Sequence, residues 1–159
     1  GKEGLCIHTR KTSRGFTMIE LVIVVALMGI LALLFMPKDF LQTFNLETAA
    51  ARIKQDIRYA KELAATTNIN CGVNFVANGS YTVYSQSAGN PVTNPFTRQP
   101  FTTNIADEFK TVLIGNTVQV EFDPMGKPVL GSGQSVQITN GTTTVSLLIT
   151  PNTGLIQQQ

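Results

Sequence analysis

An uninterrupted apolar run near the start of the chain is the strongest hydrophobic feature of the sequence. Residues 21–36 carry no charge, and Glu20 immediately precedes them. A helix over residues 16–36 would be about 32 Å long at ~1.5 Å per residue, close to the ~30 Å of a bilayer's hydrocarbon core. We therefore predict a membrane-spanning helix over residues 16–36.

The apolar pattern changes after Pro37 but remains helical. Proline lacks the backbone N–H and pushes against the preceding turn, so we expect a kink at Pro37. Apolar residues then recur at steps of three and four from Leu46 to Ala64. This periodicity predicts an amphipathic continuation over residues 37–67, so that both halves form one long helix ending near Thr67. Alternating charges are expected on its solvated face: Asp56, Arg58, Lys61 and Glu62.

Residues 68–159 change to short alternating runs separated by Gly, Asn, Pro and Ser, which is typical of strands and turns. Two Asn-Gly pairs, Asn78-Gly79 and Asn140-Gly141, predict β-hairpins. Residues 86–106 are rich in turn-forming residues and are predicted to form a long surface loop, suited to variable contacts. The predicted strands are residues 71–76, 80–85, 111–114, 118–122, 135–138, 143–149 and 155–156. The predicted fold class is therefore α+β, with a long N-terminal helix packed on an antiparallel β-rich head over residues 68–159.

The distribution of charge predicts how the chain is oriented in a membrane. In residues 1–15, basic side chains outnumber the single acid, Glu3. Positive charge before an apolar span predicts a cytoplasmic N-terminus and an external head. After Pro37 the basic and acidic side chains are equal in number, so no basic excess favours nucleic-acid binding.

A short motif lies where the basic segment meets the apolar run. It consists of a small residue followed by Phe, Thr, two apolar residues and an acid. The segment reads Gly15-Phe16-Thr17-Met18-Ile19-Glu20-Leu21. It resembles the class III signal and N-methylation motif of type IV prepilins and type II secretion pseudopilins. The resemblance implies that residues 1–15 are a leader, cleaved between Gly15 and Phe16 on the cytoplasmic side by a prepilin peptidase. It also implies that this enzyme methylates the new amino group of Phe16. Pro37 falls where these proteins commonly carry a helix-kinking proline.

The same resemblance implies an assembly role for Glu20. In a filament the apolar helices of many subunits pack side by side, and Glu20 would pair with the free amine of Phe16 on a neighbour. The implied partners are the prepilin peptidase, the other pilins or pseudopilins of the filament and the inner membrane. Hydropathy alone leaves open a second interpretation, in which Glu20 lies among the lipid headgroups.

Two turn-centred segments extend the resemblance into the head. Phe122-Asp123-Pro124-Met125-Gly126-Lys127-Pro128 and Thr150-Pro151-Asn152-Thr153-Gly154 are similar to motifs of the GspH/FimT group. These proteins are minor pseudopilins and minor pilins with a β-rich head. The fold is then expected to be pilin-like. The expected function is that of a structural subunit of a type IV pilus or type II secretion pseudopilus, held in the bacterial inner membrane before it joins a filament in the periplasm or at the cell surface.

The sequence contains no catalytic constellation. Its only histidine, His8, lies in the leader, so no Ser-His-Asp or Cys-His arrangement can be built in the mature part. No metal-ligand spacing, P-loop or dinucleotide glycine pattern occurs, and we predict no enzyme, cofactor, metal or small-molecule substrate. Removal of the leader would separate Cys71 from Cys6, and we predict that Cys71 is a buried thiol in a strand.

Two carboxylate pairs remain, and structural roles are predicted for both. Asp107 and Glu108 are expected to be solvated in a loop, and Glu121 and Asp123 to belong to a strand end and its turn. A calcium site at Asp123 with loop carbonyls stays open, because oxygen ligands suffice for calcium.

Two other functions remain open. Some FimT-type minor pilins take up DNA through a basic C-terminal segment, but residues 154–159 contain no Arg or Lys. The other alternative is a generic single-pass protein whose anchor is never processed. A Sec-type signal peptide fits less well, because the small residue Gly15 precedes the apolar run and no Ala-x-Ala site follows it.

Overall fold

The computed structural model describes residue 1, residues 15–35 and residues 37–159, apart from the side chains of residues 38 and 39. Most of the predicted leader, including Cys6 and His8, lies outside the described residues. Met36, the last residue of the predicted spanning helix, also lies outside them. The chain divides into two compact units, Gly1–Pro37 and Lys38–Gln159.

The described part of the first unit contains helix α1 (Met18–Leu34). Thr17 has extended backbone angles, and its Oγ1 accepts a hydrogen bond from the Glu20 N–H at 3.3 Å. Thr17 is therefore the N-cap, and the helix begins two residues later than predicted.

The next helix, α2 (Lys38–Thr67), begins directly after Pro37. The described helical residues thus form two elements, one on each side of Pro37, which cannot donate a backbone hydrogen bond. The kink at Pro37 stays a prediction.

Within the described residues, no helix combines the length and the apolar character needed to cross a membrane.

Helix α2 carries the apolar stripe that the periodicity predicted. Its inward positions are spaced three and four residues apart and are fully buried. They are Leu46, Ala49, Ala50, Ile53, Ile57, Ala60 and Ala64. The helix ends at Thr67 as predicted, and Asn68 follows with a φ of 56°, the left-handed conformation that commonly terminates helices.

Nine strands follow α2 in the described chain, with one short helix among them. The elements are β1 (Cys71–Phe75), β2 (Ser80–Ser85), β3 (Thr102–Asn104), α3 (Ile105–Glu108), β4 (Leu113–Ile114), β5 (Val118–Phe122), β6 (Pro128–Leu130), β7 (Ser135–Thr139), β8 (Thr144–Ile149) and β9 (Ile156–Gln158). They form a five-stranded sheet in the order β3-β2-β1-β5-β6 and a four-stranded sheet in the order β4-β7-β8-β9. All strand pairs are antiparallel.

The two sheets and α2 enclose one hydrophobic core. Alternation along β5 buries Val118, Val120 and Phe122 and leaves Gln119 and Glu121 partly exposed. The buried positions of β7 and β8 join the same cluster, so α2 packs on both sheets. The predicted α+β class, with helix packed on an antiparallel head, is confirmed.

Both predicted Asn-Gly hairpins are confirmed, since β1 pairs with β2 and β7 pairs with β8. The predicted loop over residues 86–106 is partly wrong, because it contains β3 and the start of α3. The strand β6 was not predicted, since it is short and begins at Pro128. The strands that flank Gly115-Asn116 belong to different sheets: β4 pairs with β7, and β5 with β1.

Candidate functional site

The start of α1 carries the predicted processing and assembly residues. Gly15 and Phe16 precede the helix, and Phe16 is 79% exposed. Glu20 lies in the first turn, three residues after the cap Thr17, and is exposed. An acid at this position is stabilised by the partial positive charge of a helix N-terminus. We missed the capping role of Thr17, although the Thr-x-x-Glu spacing is its sequence signal.

The surface of α1 is apolar and uncovered. None of its residues is buried, and Glu20 is its only charged residue. The side chains of Ile19, Leu33 and Leu34 are 70–75% exposed. Large exposed apolar surfaces are typical of sites that contact a membrane or another protein.

The first of the two turn motifs is built around Asp123. Its Oδ1 accepts hydrogen bonds from the N–H groups of Met125 at 3.0 Å and Lys127 at 2.8 Å. Gly126 has a φ of 80°, which favours glycine, and its N–H donates to the Asp123 carbonyl at 2.9 Å. Asp123 therefore closes the turn that follows β5, as predicted.

The second motif packs directly on the first. A Cβ at Gly154 would lie 2.6 Å from the Gly126 carbonyl oxygen and 2.9 Å from a ring carbon of Phe122. Lys61 of α2 donates through Nζ to the Thr153 carbonyl oxygen at 2.8 Å. The two motifs and Lys61 thus form a junction, here called the two-turn junction, that ties the helix to both sheets. Lys61 was predicted to be a solvated charge, but this contact gives it a structural partner.

Comparison with known protein families gives two matches, in chain order. Residues 10–36 match the prokaryotic N-terminal methylation motif. Residues 49–154 match the type II transport protein GspH family, which covers the two-turn junction and most of the head.

The chain belongs to the GspH family.

No curated protein and no solved structure matches the chain. The family consists of structural pseudopilins and is not known for enzymes. The two matches together support a minor pseudopilin or pilin subunit, and they imply a membrane-anchored chain that a prepilin peptidase processes.

One carboxylate of α2 is buried, which the sequence did not predict. Asp56 was assigned to the solvated face of the helix, but it is only 6% exposed. The Tyr81 hydroxyl donates to Asp56 Oδ2, and Arg52 Nε lies 3.4 Å from the same oxygen. Burial raises the pKa of Asp56 above its ordinary value, although Tyr81 and Arg52 oppose this shift. These two partners explain how the helix tolerates an acid on its inner side.

A second polar network lies on the five-stranded sheet. Tyr84 donates to Glu121 Oε2 at 2.8 Å and accepts from Gln119 Nε2 at 2.8 Å, while Asn70 donates to Glu121 Oε1 at 3.1 Å. A Cβ at Gly72 would lie 2.7 Å from the Tyr84 hydroxyl. The absence of a side chain at Gly72 therefore leaves room for the Tyr84 side chain to pass over β1. Burial raises the pKa of Tyr84, so it stays a neutral donor. Glu121 therefore has a structural role.

The remaining candidate groups have local roles. Asp107 and Glu108 lie in the first turn of α3, capped by Asn104, rather than in an open loop. Cys71 is a fully buried free thiol on β1. In the part of the chain that the structure describes, no cluster of His, Cys, Asp and Glu could hold a metal ion.

Proposed function

We propose that this GspH-family chain is a structural subunit that assembles into a type II secretion pseudopilus or a type IV pilus. The observation that carries the proposal is the uncovered apolar surface of α1. Burying one Leu, Ile or Val side chain contributes about 1.5–3 kcal/mol, so α1 has a large driving force to enter lipid or join neighbouring helices. The matching family favours the secretion pseudopilus of the two.

Before assembly, α1 and its flanking residues would anchor the chain in the inner membrane as a single span. The basic segment would keep the N-terminus in the cytoplasm, with the head in the periplasm. The prepilin peptidase would cleave between Gly15 and Phe16 and methylate Phe16. In support, both residues are exposed and non-helical, so a protease could reach the bond without unwinding α1.

After cleavage, Glu20 would pair with the amine of Phe16 on a neighbouring subunit. Opposite charges ~4 Å apart attract by about 4 kcal/mol at an effective dielectric of ~20, before the cost of desolvation. The pair would therefore fix the axial register between subunits more than it would add net stability. Its geometry requires an acid close to the new N-terminus, and Glu20 is the only acid of α1.

The test combines two substitutions in cells that depend on this chain for secretion or piliation. Gly15→Leu should block cleavage, so that mass spectrometry of the purified chain finds residues 1–15 still attached. Glu20→Ala should leave cleavage intact but abolish assembly. Glu62→Ala is the matched control, because Glu62 is an exposed acid of α2, and it should assemble normally.

Two results would count against the proposal. One is an intact leader on the native wild-type chain. The other is normal filament function of the Glu20→Ala variant.

A further inference from the structure

A groove with no role in the proposed assembly lies between α2 and the loop that precedes β3. Its volume is about 500 Å³, within the ~300–1,000 Å³ typical of ligand sites. Its lining includes Arg52, Gln55 and Tyr59 from α2, and Asn94, Phe96 and Phe101 from the loop. None of these residues belongs to α1 or to the two-turn junction.

The loop side of the groove is fixed by its own hydrogen bonds. Asn94 Oδ1 accepts from the Phe96 N–H at 2.9 Å, and the Asn94 N–H donates to the Gln99 carbonyl at 2.8 Å. Thr93 and Pro100 form an antiparallel bridge at the base of the turn. Phe96 is nevertheless 90% exposed. A large apolar ring on an ordered turn can bind a partner at little cost in conformational entropy.

The groove also has an aromatic wall. The rings of Tyr59 and Phe101 stack with centroids 5.8 Å apart. Phe101 is 4% exposed, so this wall is anchored in the core. Together with Phe96, these rings offer a surface for one apolar side chain.

The groove is lined by one cation, Arg52, and one acid, Asp56, and of the two only the cation is open to a ligand. Arg52 is 39% exposed and uses Nε to contact Asp56, at 3.4 Å. Among the described residues, neither Nη group of Arg52 has a hydrogen-bond partner. Asp56 is buried and already accepts from Tyr81, while Glu108 influences Arg52 only from beyond ion-pair distance. The free edge of the Arg52 guanidinium can therefore take two oxygens of one carboxylate.

We propose that this groove binds an extended segment of another protein in which an apolar side chain lies next to a carboxylate. The apolar side chain packs against Phe96, Tyr59 and Phe101, and the carboxylate accepts from the Nη groups of Arg52. Charge complementarity favours an acidic segment over a basic one, because the acids near Arg52 are either buried or distant. This role is additional to filament assembly through α1 and does not depend on it.

The test uses the isotopically labelled full chain in detergent micelles, followed by NMR. The probes are three blocked peptides: acetyl-Thr-Phe-Thr-Glu-Thr-amide, the same peptide with Lys for Glu, and the same peptide with Ser for Phe. The first should give saturable shifts at Tyr59, Phe96 and Phe101. The Lys peptide should bind up to about fivefold more weakly, the factor expected for loss of a partly exposed ion pair. The Ser peptide should also bind more weakly, because it loses the apolar contact.

Variants locate the binding site. Arg52→Gln should weaken binding of the first peptide by up to about fivefold. Phe96→Ser should weaken it through loss of the apolar contact, and it should leave the fold intact because the ring is 90% exposed. Arg58→Gln is the matched control, since Arg58 is an exposed arginine of α2 outside the groove, and it should bind normally.

Four outcomes would overturn the proposal. The first is equal binding of the Glu and Lys peptides, and the second is equal loss in Arg52→Gln and Arg58→Gln. The third is saturable binding of a twelve-nucleotide oligothymidylate at the groove, which would show that the groove binds nucleic acid instead. The fourth is a dimer in sedimentation experiments that Phe96→Ser abolishes, which would make a second copy of this chain the occupant.

Discussion

Asp56 offers the sharpest test of the packing between α2 and the five-stranded sheet. The Tyr81 hydroxyl, on a fully buried ring, donates to its carboxylate. Asp56→Ala removes the carboxylate oxygen that accepts from that hydroxyl. A buried donor left without a partner costs about 1–3 kcal/mol, and we expect a loss of that size in the free energy of unfolding.

Asp56→Asn separates the hydrogen bond from the charge. Asparagine keeps an oxygen that accepts from Tyr81, and the lost attraction to Arg52 is small because Arg52 is 39% exposed. We therefore expect Asp56→Asn to cost less than about 1 kcal/mol at neutral pH. The hydrogen-bond geometry alone therefore predicts that Asp56→Ala lowers the free energy of unfolding more than Asp56→Asn does.

The pH dependence gives an independent check. Burial raises the folded-state pKa of Asp56 above the 3.8 of the free side chain; Tyr81 and Arg52 lower it by less, and Glu108 adds to the increase. The stabilising contribution of the bound proton is then complete below the unfolded-state pKa and is lost as the pH rises through the folded-state pKa. Asparagine has no such proton. The Asp56→Asn variant should therefore gain stability relative to wild type as the pH rises through this window.

Urea unfolding of the full chain in mild detergent measures both effects. The chain has three tyrosines and no tryptophan, so far-UV circular dichroism is the suitable signal. Tyr81→Phe removes the same hydrogen bond from the other side and should also cost about 1–3 kcal/mol. If Asp56→Asn is as costly as Asp56→Ala, or shows the same pH dependence as wild type, the account of this buried carboxylate is wrong.

The two-turn junction gives two further predictions for the same unfolding assay. Lys61→Met keeps the side-chain stem but loses the 2.8 Å hydrogen bond to Thr153, so it should lower the free energy of unfolding by about 1 kcal/mol. The control is Lys54→Met, which breaks no hydrogen bond among the described residues and should leave the free energy of unfolding unchanged. Gly154→Ala places a methyl group 2.6 Å from the Gly126 carbonyl, while Gly141→Ala, also at positive φ, meets nothing within 4 Å. Gly154→Ala should therefore cost about 1–3 kcal/mol more than Gly141→Ala, and equal losses would contradict the observed packing.

Features with a local sequence signal were predictable. The stripe from Leu46 to Ala64 follows helical spacing, and the two Asn-Gly pairs mark hairpins that need only neighbouring residues. Gly15, Phe16 and Glu20 lie in one short contiguous motif, so the sequence alone identifies them as candidate site residues. Their roles in cleavage and assembly rest on that motif and remain predictions.

Features that depend on distant contacts were not predictable. Asp56 and Tyr81 are 25 residues apart, and Lys61 and Thr153 are 92 apart. Asp56 and Lys61 follow the pattern of an exposed face along α2, and their partners come from a strand and a turn far along the chain. The groove was missed for the same reason, since it exists only when the loop that carries Phe96 lies against α2.

Helix α2 also leaves apolar side chains uncovered shortly after Pro37, which yields a final prediction. Phe40 and Phe44 lie on successive turns of α2 and are 57% and 60% exposed, whereas Leu46 is fully buried. Replacing both phenylalanines by Ser should change the free energy of unfolding by no more than about 0.5 kcal/mol each, because neither ring packs in the core. Leu46→Ala, by contrast, should cost about 2–5 kcal/mol. If neighbouring subunits cover Phe40 and Phe44, the double variant will fold normally yet fail to restore secretion or piliation in cells that lack the wild-type chain. Full restoration would show that assembly makes no use of this part of α2.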